Sequence, residues 1–297
     1  MNKKYQSGAK PPILLVHGGA GSYKDNREVL EQRRRIISGI IAQVWPELLQ
    51  GASALKTVHR VVELLEADPH FNAGLGAVLQ NDGLVRLSAS LMDGSKQKFS
   101  GVMLATHIIH PSRLAYALQE REQTVLGPLG AQLLARELGI PPENPSTPDR
   151  AAKWISYLEK QKQPSQSHGT VGAVALDQQG HLAAATSTGG STTNVPERVS
   201  DSATVAGNYA SEFAAISCTG IGEQIVNDGV AVRIETRVRD GRSVIEASDI
   251  VYEEANSRQY QYGWIGIDYK GNWAIYHTTK DMPCGVMSLT AENNGTG

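Results

Sequence analysis

The segment GTVGAVALDQQGHLAAATSTGG, residues 169–190, carries the pattern from which the fold can be predicted. An apolar run of small and branched side chains leads into Asp-Gln-Gln-Gly, and a second apolar run starts at Leu182. Two such runs on either side of a short, glycine-containing polar turn are typical of a β-hairpin. We therefore predict a buried strand up to residue 176, a turn at 177–180 and a return strand over 182–186.

The residues directly before this hairpin have the opposite character. Residues 161–167 read QKQPSQS, a polar stretch without apolar periodicity. Such a composition is typical of an exposed, flexible segment. We predict a flexible linker at about 161–168 that joins abruptly to a core strand at Gly169.

Apolar patterns continue on both sides of the hairpin. Residues 13–16 (ILLV) are an apolar run that leads into HGGAG, residues 17–21, which predicts a buried strand followed by a tight turn. Helices are predicted over residues 26–49, from an N-cap at Ser53 to about 68, over 112–121 and 127–138, and from Thr147 onward. These elements predict one α/β (α+β) domain over residues 1–297, with helices covering sheets of mixed or antiparallel pairing.

A weaker copy of the hairpin pattern lies near the carboxyl end. Residues 263–271 read GWIGIDYKG and repeat both the apolar strand and the Asp-x-x-Gly turn. We interpret the copy as a second β-hairpin with a similar turn in the same sheet protein.

Composition and charge exclude several classes of protein. The formal net charge is -2 with both signs interspersed, so we expect no nucleic-acid partner. Cys218 and Cys284 are far apart and predict no disulfide framework. The basic residues near Met1 are not followed by an apolar signal-peptide core, and no window approaches the roughly 18 apolar residues that span a bilayer. We expect a cytoplasmic protein without a membrane partner.

Thr170 stands where the linker meets the predicted strand. A threonine hydroxyl is a weak nucleophile unless a base lies beside it, and the α-amino group of an amino-terminal threonine is such a base. That amine has a pKa of about 7.7–8, so part of it is neutral near neutral pH. Cleavage between Gly169 and Thr170 would expose this amine and create an amino-terminal nucleophile.

The longer motifs around Thr170 closely resemble the plant-type asparaginase/isoaspartyl peptidase family of N-terminal nucleophile hydrolases. The resemblance covers nearly the whole chain and fades between about residues 118 and 168 and at the extreme termini. Its motifs, in chain order, are HGGAG at 17–21, FNAG at 71–74, MDG at 92–94, the hairpin strands at 169–177 and 182–190, and SCTGIGE at 217–223.

The resemblance implies a four-layer αββα sandwich and a precursor that cleaves itself into an α subunit, residues 1–169, and a β subunit, residues 170–297. It implies hydrolysis of the side-chain amide of L-asparagine and of the isopeptide bond of β-aspartyl dipeptides, through a β-aspartyl ester on Thr170. It also implies a homodimer of cleaved precursors, with two α and two β chains.

The resemblance assigns roles to residues around the nucleophile. Thr188 lies beside Thr170 and helps to hold its hydroxyl and amine, and Thr219 with Gly220 stabilises the oxyanion. The guanidinium of Arg198 suits the α-carboxylate of the substrate, and the Asp201 carboxylate suits its α-ammonium. The full set expected to bind substrate is Arg198, Val199, Ser200, Asp201, Thr219, Gly220, Ile221 and Gly222.

No cofactor is expected to be required, but the resemblance implies a structural sodium ion. The segment from residue 65 to 75 resembles a loop that surrounds sodium with backbone carbonyls. The predicted ligands are the carbonyl oxygens of Leu65, Glu66, Asp68, Phe71, Ala73 and Leu75.

Three positions depart from the family pattern. Glu197 and Ser200 stand where glycine is common, so we expect a stiffer or differently shaped loop around Arg198. Ser88 stands where an aspartate is common. The departures affect rate and substrate preference more than the class of reaction.

Four alternatives remain open. A glycosylasparaginase-like amidase or a site-specific endopeptidase would share the fold. An uncleaved, inactive relative would serve as a scaffold or binding protein, although such a protein has no use for the threonine and clamp residues together. A metal hydrolase would use His107 and His110, but no carboxylate completes a ligand set near them in the sequence.

Overall fold

Two β-sheets stacked face to face form the centre of the fold. The computed structural model describes residues 2–23, 26–160 and 169–289. The predicted linker at about 161–168 lies outside the described residues.

The larger sheet has seven strands and the smaller sheet has five. In spatial order, the larger sheet consists of β12 (Cys284–Ser288), β2 (Ile13–His17), β6 (Val171–Leu176), β7 (Leu182–Thr188), β3 (Leu87–Asp93), β4 (Lys98–Ala105) and β5 (Val125–Leu126). The smaller sheet consists of β1 (Lys3–Gln6), β11 (Trp273–His277), β10 (Tyr262–Asp268), β9 (Ala214–Gly220) and β8 (Asn208–Ala210). All neighbours pair antiparallel except β4 and β5, which confirms the prediction of mixed or antiparallel pairing.

Helices cover the outer face of each sheet. On the larger sheet lie α1 (Arg27–Leu49), α2 (Ala54–Ala67), α3 (Pro111–Ala117) and α4 (Pro128–Glu137), with α5 (Pro148–Lys160) beside them. On the smaller sheet lie α6 (Gly222–Asp228), α7 (Val230–Arg239) and α8 (Val244–Ser257). This is the four-layer αββα sandwich that the resemblance implied. Within the described part of the chain, no helix is long and apolar enough to cross a bilayer.

The alternation of side chains along β2 shows why two apolar layers form. Leu14 and Val16 pack against α1 and α2, whereas Ile13 and Leu15 pack between the sheets. Successive side chains of a strand point to opposite faces, so a wholly apolar strand needs cover on both sides. Each fully buried aliphatic side chain contributes about 1.5–3 kcal/mol, which makes the sandwich the stable arrangement for this sequence.

The structure differs from the sequence predictions at two element ends. The return strand β7 continues to Thr188, two residues beyond the predicted end, because β3 pairs with it over that length. The helix predicted over 112–121 ends at Ala117 and continues only as a 3₁₀ turn, Leu118–Glu120. The predicted N-cap at Ser53 is confirmed, since its hydroxyl accepts a hydrogen bond from the Lys56 amide at 3.3 Å.

The two predicted hairpins with similar turns are confirmed, and each lies in a different sheet. Asp177 follows β6 and accepts hydrogen bonds from two amides of its own turn and from the Ala54 amide at the start of α2. Asp268 is the last residue of β10 and accepts hydrogen bonds from two amides of its own turn and from the Val244 amide at the start of α8. The two hairpins are therefore similar in their turns and also in the hydrogen bond that each turn aspartate accepts from the first amide of a helix.

Candidate active site

Thr170 lies immediately before β6, at the end of the central hairpin, and only 5% of its surface is exposed. Val171 pairs with Ser187, which places Thr170 opposite Thr188 on the neighbouring strand. The Thr170 hydroxyl donates a hydrogen bond to the Thr188 hydroxyl at 3.2 Å. Thr188 in turn accepts a hydrogen bond from the Gly190 amide at 3.1 Å. The extension of β7 thus brings together the two threonines that the sequence analysis had linked.

A cavity of about 440 Å³ opens in front of Thr170. It is large enough to hold a ligand of the size of an amino acid, and hydroxyl, amide and charged groups border it. Its lining residues are Gly169, Thr170, Thr188, Gly190, Ser191, Thr193, Asn194, Arg198, Ser200, Asp201, Gly220, Ile221, Gly222 and Glu223.

Arg198 and Asp201 lie next to each other at the side of this cavity. A Cβ on Gly222 would lie 2.5 Å from Arg198 Nη2 and 2.7 Å from Asp201 Oδ1, so the glycine allows both groups to approach one point. Arg198 donates from Nε and Nη2 to the Glu223 carboxylate, at 2.8 and 2.7 Å. A cation and an anion side by side suit the head group of an α-amino acid.

The Asp201 carboxyl group is buried, and burial raises its pKa to about 6. The positive charge of Arg198 opposes this rise. A buried carboxylate is costly unless a cation or hydrogen bonds compensate it. Asp201 is therefore ionised at neutral pH and becomes protonated as the pH falls through about 6.

The loop that carries the clamp keeps a backbone shape that normally requires glycine. Glu197 has φ of 68°, in the left-handed region, although it carries a side chain. Ser200 is buried and lines the cavity, whereas Val199 is exposed and does not line it. A side chain in this region of φ adds local strain, and the expected effect of Glu197 on the shape of the loop stays a prediction.

Thr219 and Gly220 end β9, but only Gly220 lines the cavity. Gly220 has φ of 137°, and a Cβ there would lie 2.5 Å from the Tyr262 Cα, so a larger residue cannot replace it. Thr219 is fully buried, and its hydroxyl accepts a hydrogen bond from the Ala20 amide at 3.1 Å. The oxyanion role of Thr219 stays a prediction, while Ile221 and Gly222 line the cavity as expected.

Two residues that received no site role from the sequence support the region around Thr170. The Asn72 side-chain amide donates a hydrogen bond to the Gly190 carbonyl at 2.7 Å. The main-chain carbonyl of Asn72 accepts a hydrogen bond from the Gly189 amide at 2.9 Å. His17 Nε2 lies 2.9 Å from Ser217 Oγ, in the opposite sheet, and burial lowers the His17 pKa to about 3. The neutral imidazole joins the sheets. Both residues belong to the motifs FNAG and HGGAG, which were the available signal.

Ser88 lies away from the cavity, at an irregularity in the pairing of β3 with β4. Its buried hydroxyl accepts a hydrogen bond from the Leu104 amide at 3.1 Å. Ser88 thus satisfies a main-chain donor that the irregularity leaves without a strand partner.

The predicted sodium loop runs from the last turn of α2 to the 3₁₀ turn Gly74–Gly76. A Cβ on Gly74 would lie 2.2 Å from the Glu66 carbonyl oxygen and 2.6 Å from the Ile109 carbonyl oxygen. The main chain at Gly74 therefore packs directly against these two carbonyl groups, which glycine permits because it has no side chain. Hard cations prefer oxygen ligands such as carbonyls, and the sodium ion at this loop stays a prediction.

His107 and His110 lie in the loop before α3. His110 Nδ1 is 3.5 Å from the buried Glu66 carboxylate, which also accepts hydrogen bonds from the Ser112 and Ser187 hydroxyls. Across residues 2–23, 26–160 and 169–289, no three His, Cys, Asp or Glu side chains are grouped as metal ligands. The Glu66 carboxylate therefore belongs to a buried hydroxyl network.

Comparison with known proteins places this site in a family. Residues 10–295 match the family described as asparaginase. The chain is 40% identical over 298 residues to an isoaspartyl peptidase/L-asparaginase of Synechocystis sp., covering 96% of this chain and 88% of that protein. It is 38% identical over 288 residues to the Bos taurus protein of the same description, with 92% of each chain covered. It is 37% identical over 292 residues to an isoaspartyl peptidase of Salmonella typhimurium, covering 91% and 93%. A match of this length, together with the αββα sandwich and a buried threonine at the start of its central hairpin, shows that the chain belongs to the asparaginase family.

Proposed function

We propose that this protein is a threonine-nucleophile hydrolase that cleaves the side-chain amide of L-asparagine and the isopeptide bond of β-aspartyl dipeptides. One observation carries the proposal: the Thr170–Thr188 hydroxyl pair and the Arg198–Asp201 charge pair line the same cavity. The names of the relatives, isoaspartyl peptidase and L-asparaginase, agree with this substrate class.

Maturation is the first step of the proposed mechanism. The Thr170 hydroxyl attacks the carbonyl carbon of Gly169, the peptide C–N bond breaks, and the proton passes to the released amine. Water then hydrolyses the ester and leaves a carboxylate on Gly169 and a free α-amine on Thr170. The buried position of Thr170, next to the Thr188 hydroxyl, limits the hydroxyl to few orientations, which favours an intramolecular attack.

Hydrolysis then uses the new amine as the base. The amine accepts the hydroxyl proton, Thr170 Oγ1 attacks the β-carbonyl carbon, and ammonia or an amino acid leaves with that proton. Water cleaves the β-aspartyl ester and regenerates the enzyme. The amide of Gly220, at the edge of the cavity, is the candidate donor to the oxyanion, and one such donor contributes roughly 3–4 kcal/mol.

Selectivity follows from the two charges beside Gly222. If Arg198 binds the α-carboxylate and Asp201 binds the α-ammonium, the β-carbonyl is the group that reaches Thr170. An ordinary α-peptide has no free α-carboxylate on its aspartyl residue and loses the Arg198 contact. We therefore propose that α-aspartyl peptides are poor substrates.

A sodium ion on the backbone carbonyls of the loop from residue 65 to 75 would fix the segment that contains Asn72. It would supply electrostatic support to this loop, and no step of the reaction passes through it. No other cofactor is required by the proposed chemistry. The homodimer of cleaved precursors rests on family membership and is testable by light scattering coupled to size-exclusion chromatography.

The test compares wild type with Thr170→Ala and Thr170→Ser. We expect wild type to give two fragments on a denaturing gel, ending at Gly169 and starting at Thr170, and Thr170→Ala to remain one chain without activity. Thr170→Ser keeps a hydroxyl and should still cleave. Complete cleavage of Thr170→Ala would show that another protease cuts the chain.

Substrate class is tested on the cleaved wild-type protein. L-Asparagine and a β-aspartyl dipeptide should be hydrolysed, and the matching α-aspartyl dipeptide should not. A glycan-linked asparagine completes the panel. If it were the only substrate hydrolysed, the protein would be the glycosylasparaginase-like alternative.

A further inference from the structure

Ser200 lies between the two clamp residues and lines the cavity beside them. Its hydroxyl donates to Asp201 Oδ1 at 3.2 Å and accepts a hydrogen bond from the Ser202 amide, also at 3.2 Å. It begins the 3₁₀ turn Asp201–Ala203 as the capping residue. Ser202 Oγ also lies 3.2 Å from the Ser200 hydroxyl. The turn thus holds this hydroxyl within reach of the Asp201 carboxylate and of a second serine.

The Asp201 carboxylate has few other sources of stabilisation. Its second oxygen, Oδ2, is buried and has no hydrogen-bond partner among the described residues. The Ser200 hydroxyl is the one side-chain donor to this carboxylate in the described part of the chain. A hydrogen bond to an ionised acceptor is among the stronger ones, because it stabilises only the charged form.

The charges that face Asp201 act in both directions. Arg198 favours the ionised carboxylate, whereas Glu223 opposes it from the start of α6. The Cys218 thiol on β9 also lies nearby, and its pKa is raised well above the ordinary value by burial and by Asp201. Burial raises the Asp201 pKa to about 6, so its charge is sensitive to a single hydrogen bond in the range where an enzyme works.

We propose that Ser200 is a positioning residue that keeps the Asp201 carboxylate ionised and oriented towards the substrate ammonium, and so extends substrate binding to lower pH. The proposal rests on the proposed function, since it assumes that Asp201 binds an ammonium group.

The sign of the effect follows from the hydrogen bond. Loss of the Ser200 hydroxyl removes a stabilising contact from the ionised form, so the Asp201 pKa rises further. At pH 8 Asp201 is ionised in both proteins. Near pH 5 to 6 the variant holds the proton more often, and an uncharged carboxyl group binds the substrate ammonium weakly.

The experiment measures kcat/KM for L-asparagine with cleaved wild type and cleaved Ser200→Ala from pH 5 to pH 9. We compare the proteins through the ratio of the wild-type kcat/KM to the variant kcat/KM at each pH. The Thr170 amine ionises in both proteins, so its effect on kcat/KM cancels in this ratio. We expect this ratio to rise by about 3- to 10-fold between pH 8 and pH 5, since one hydrogen bond to a charged group has this effect on a protonation equilibrium. Ser200→Gly serves in the same measurement if Ser200→Ala does not mature.

Two further variants separate this role from a structural one. Ser200→Thr keeps the hydroxyl, so its ratio should stay flat with pH whatever its absolute rate. Ser257→Ala removes an exposed hydroxyl at the end of α8, far from the clamp, and its ratio should also be flat. A flat ratio for Ser200→Ala, or a rise for Ser200→Thr, would overturn the role of Ser200. Absence of any hydrolysis by cleaved wild type would instead refute the proposed function.

Discussion

Arg198 is the residue on which two carboxylates of the cavity depend. It donates two hydrogen bonds to Glu223 and lowers the cost of ionising Asp201. In Arg198→Ala, both carboxylates would lose their cation, and the substrate carboxylate would lose its partner. We expect the variant to lose about 3–5 kcal/mol of transition-state binding energy for L-asparagine. This loss is obtained from kcat/KM, measured by steady-state kinetics on the cleaved variant.

Self-cleavage of Arg198→Ala should survive, because the precursor presents no free α-carboxylate to the clamp. The matched control is Arg34→Ala, an arginine of α1 whose partner Glu31 is exposed. It should retain both activities. An equal loss of cleavage and turnover in Arg198→Ala would mean that the arginine supports the loop and does not bind substrate.

Glu197 offers a test of backbone strain in the same loop. A side chain at φ of 68° costs roughly 1–2 kcal/mol, and glycine avoids that cost at the expense of about 0.5–1 kcal/mol of unfolded-state entropy. Glu197→Gly should therefore raise the free energy of unfolding slightly, by about 0.5 kcal/mol, in denaturant titrations. Val199→Gly, at negative φ in the same loop, should lower it. Destabilisation by both variants would show that the Glu197 side chain contributes contacts that outweigh strain.

At the scale of elements, the two Asp-x-x-Gly hairpins each connect a sheet to the amino terminus of a helix. Asp177 and Asp268 are buried, and each accepts hydrogen bonds within its turn while capping α2 or α8. A carboxylate at a helix amino terminus satisfies free amides and interacts well with the helix dipole. The turn sequence is therefore tied to helix packing as well as to the reversal of the chain.

Removal of either carboxylate should destabilise the protein by a similar amount. Asp268→Ala leaves the Val244, Lys270 and Asn272 amides without their acceptor, at a cost of about 2–4 kcal/mol. Thermal unfolding of Asp268→Ala, Asp177→Ala and the exposed control Asp240→Ala measures the effect. If Asp268→Ala and Asp177→Ala lose no more stability than Asp240→Ala, the two hairpins resemble each other only in the shape of the turn, and the contacts with the helices do not stabilise the fold.

At the scale of the whole molecule, the proposed cleavage site divides one continuous sheet between two chains. Residues 1–169 contribute β2, β3, β4 and β5 to the larger sheet, and residues 170–297 contribute β6, β7 and β12. These strands alternate in space, since β2 lies between β12 and β6, and β7 pairs with β3. Neither fragment holds a complete sheet.

The two fragments should therefore remain together after cleavage and unfold as one unit. We expect cleaved protein to elute as a single species from a non-denaturing column, at the same volume as uncleaved Thr170→Ala. Residues 1–169 and 170–297 produced separately should be insoluble, because each exposes unpaired strand edges and half of an apolar interface. Separation of the fragments without denaturant would contradict this interpretation of the sheet.

The sequence by itself determined the features that depend on near neighbours. The apolar runs and the Asp-Gln-Gln-Gly turn predicted the hairpin, and Ser53 predicted a helix start. Thr170 stood out at the junction of a polar segment with a core strand. These signals are local because strand alternation, capping and turn chemistry involve residues a few positions apart.

Only the tertiary structure decided which distant groups meet. Pairing along the full length of β7 placed Thr188 opposite Thr170, and the stacking of two sheets brought His17 to Ser217. The same packing turned the Thr219 hydroxyl towards Ala20 and away from the cavity. Such contacts depend on the register and order of strands far apart in the chain, which burial of the whole core selects and no short stretch of sequence encodes.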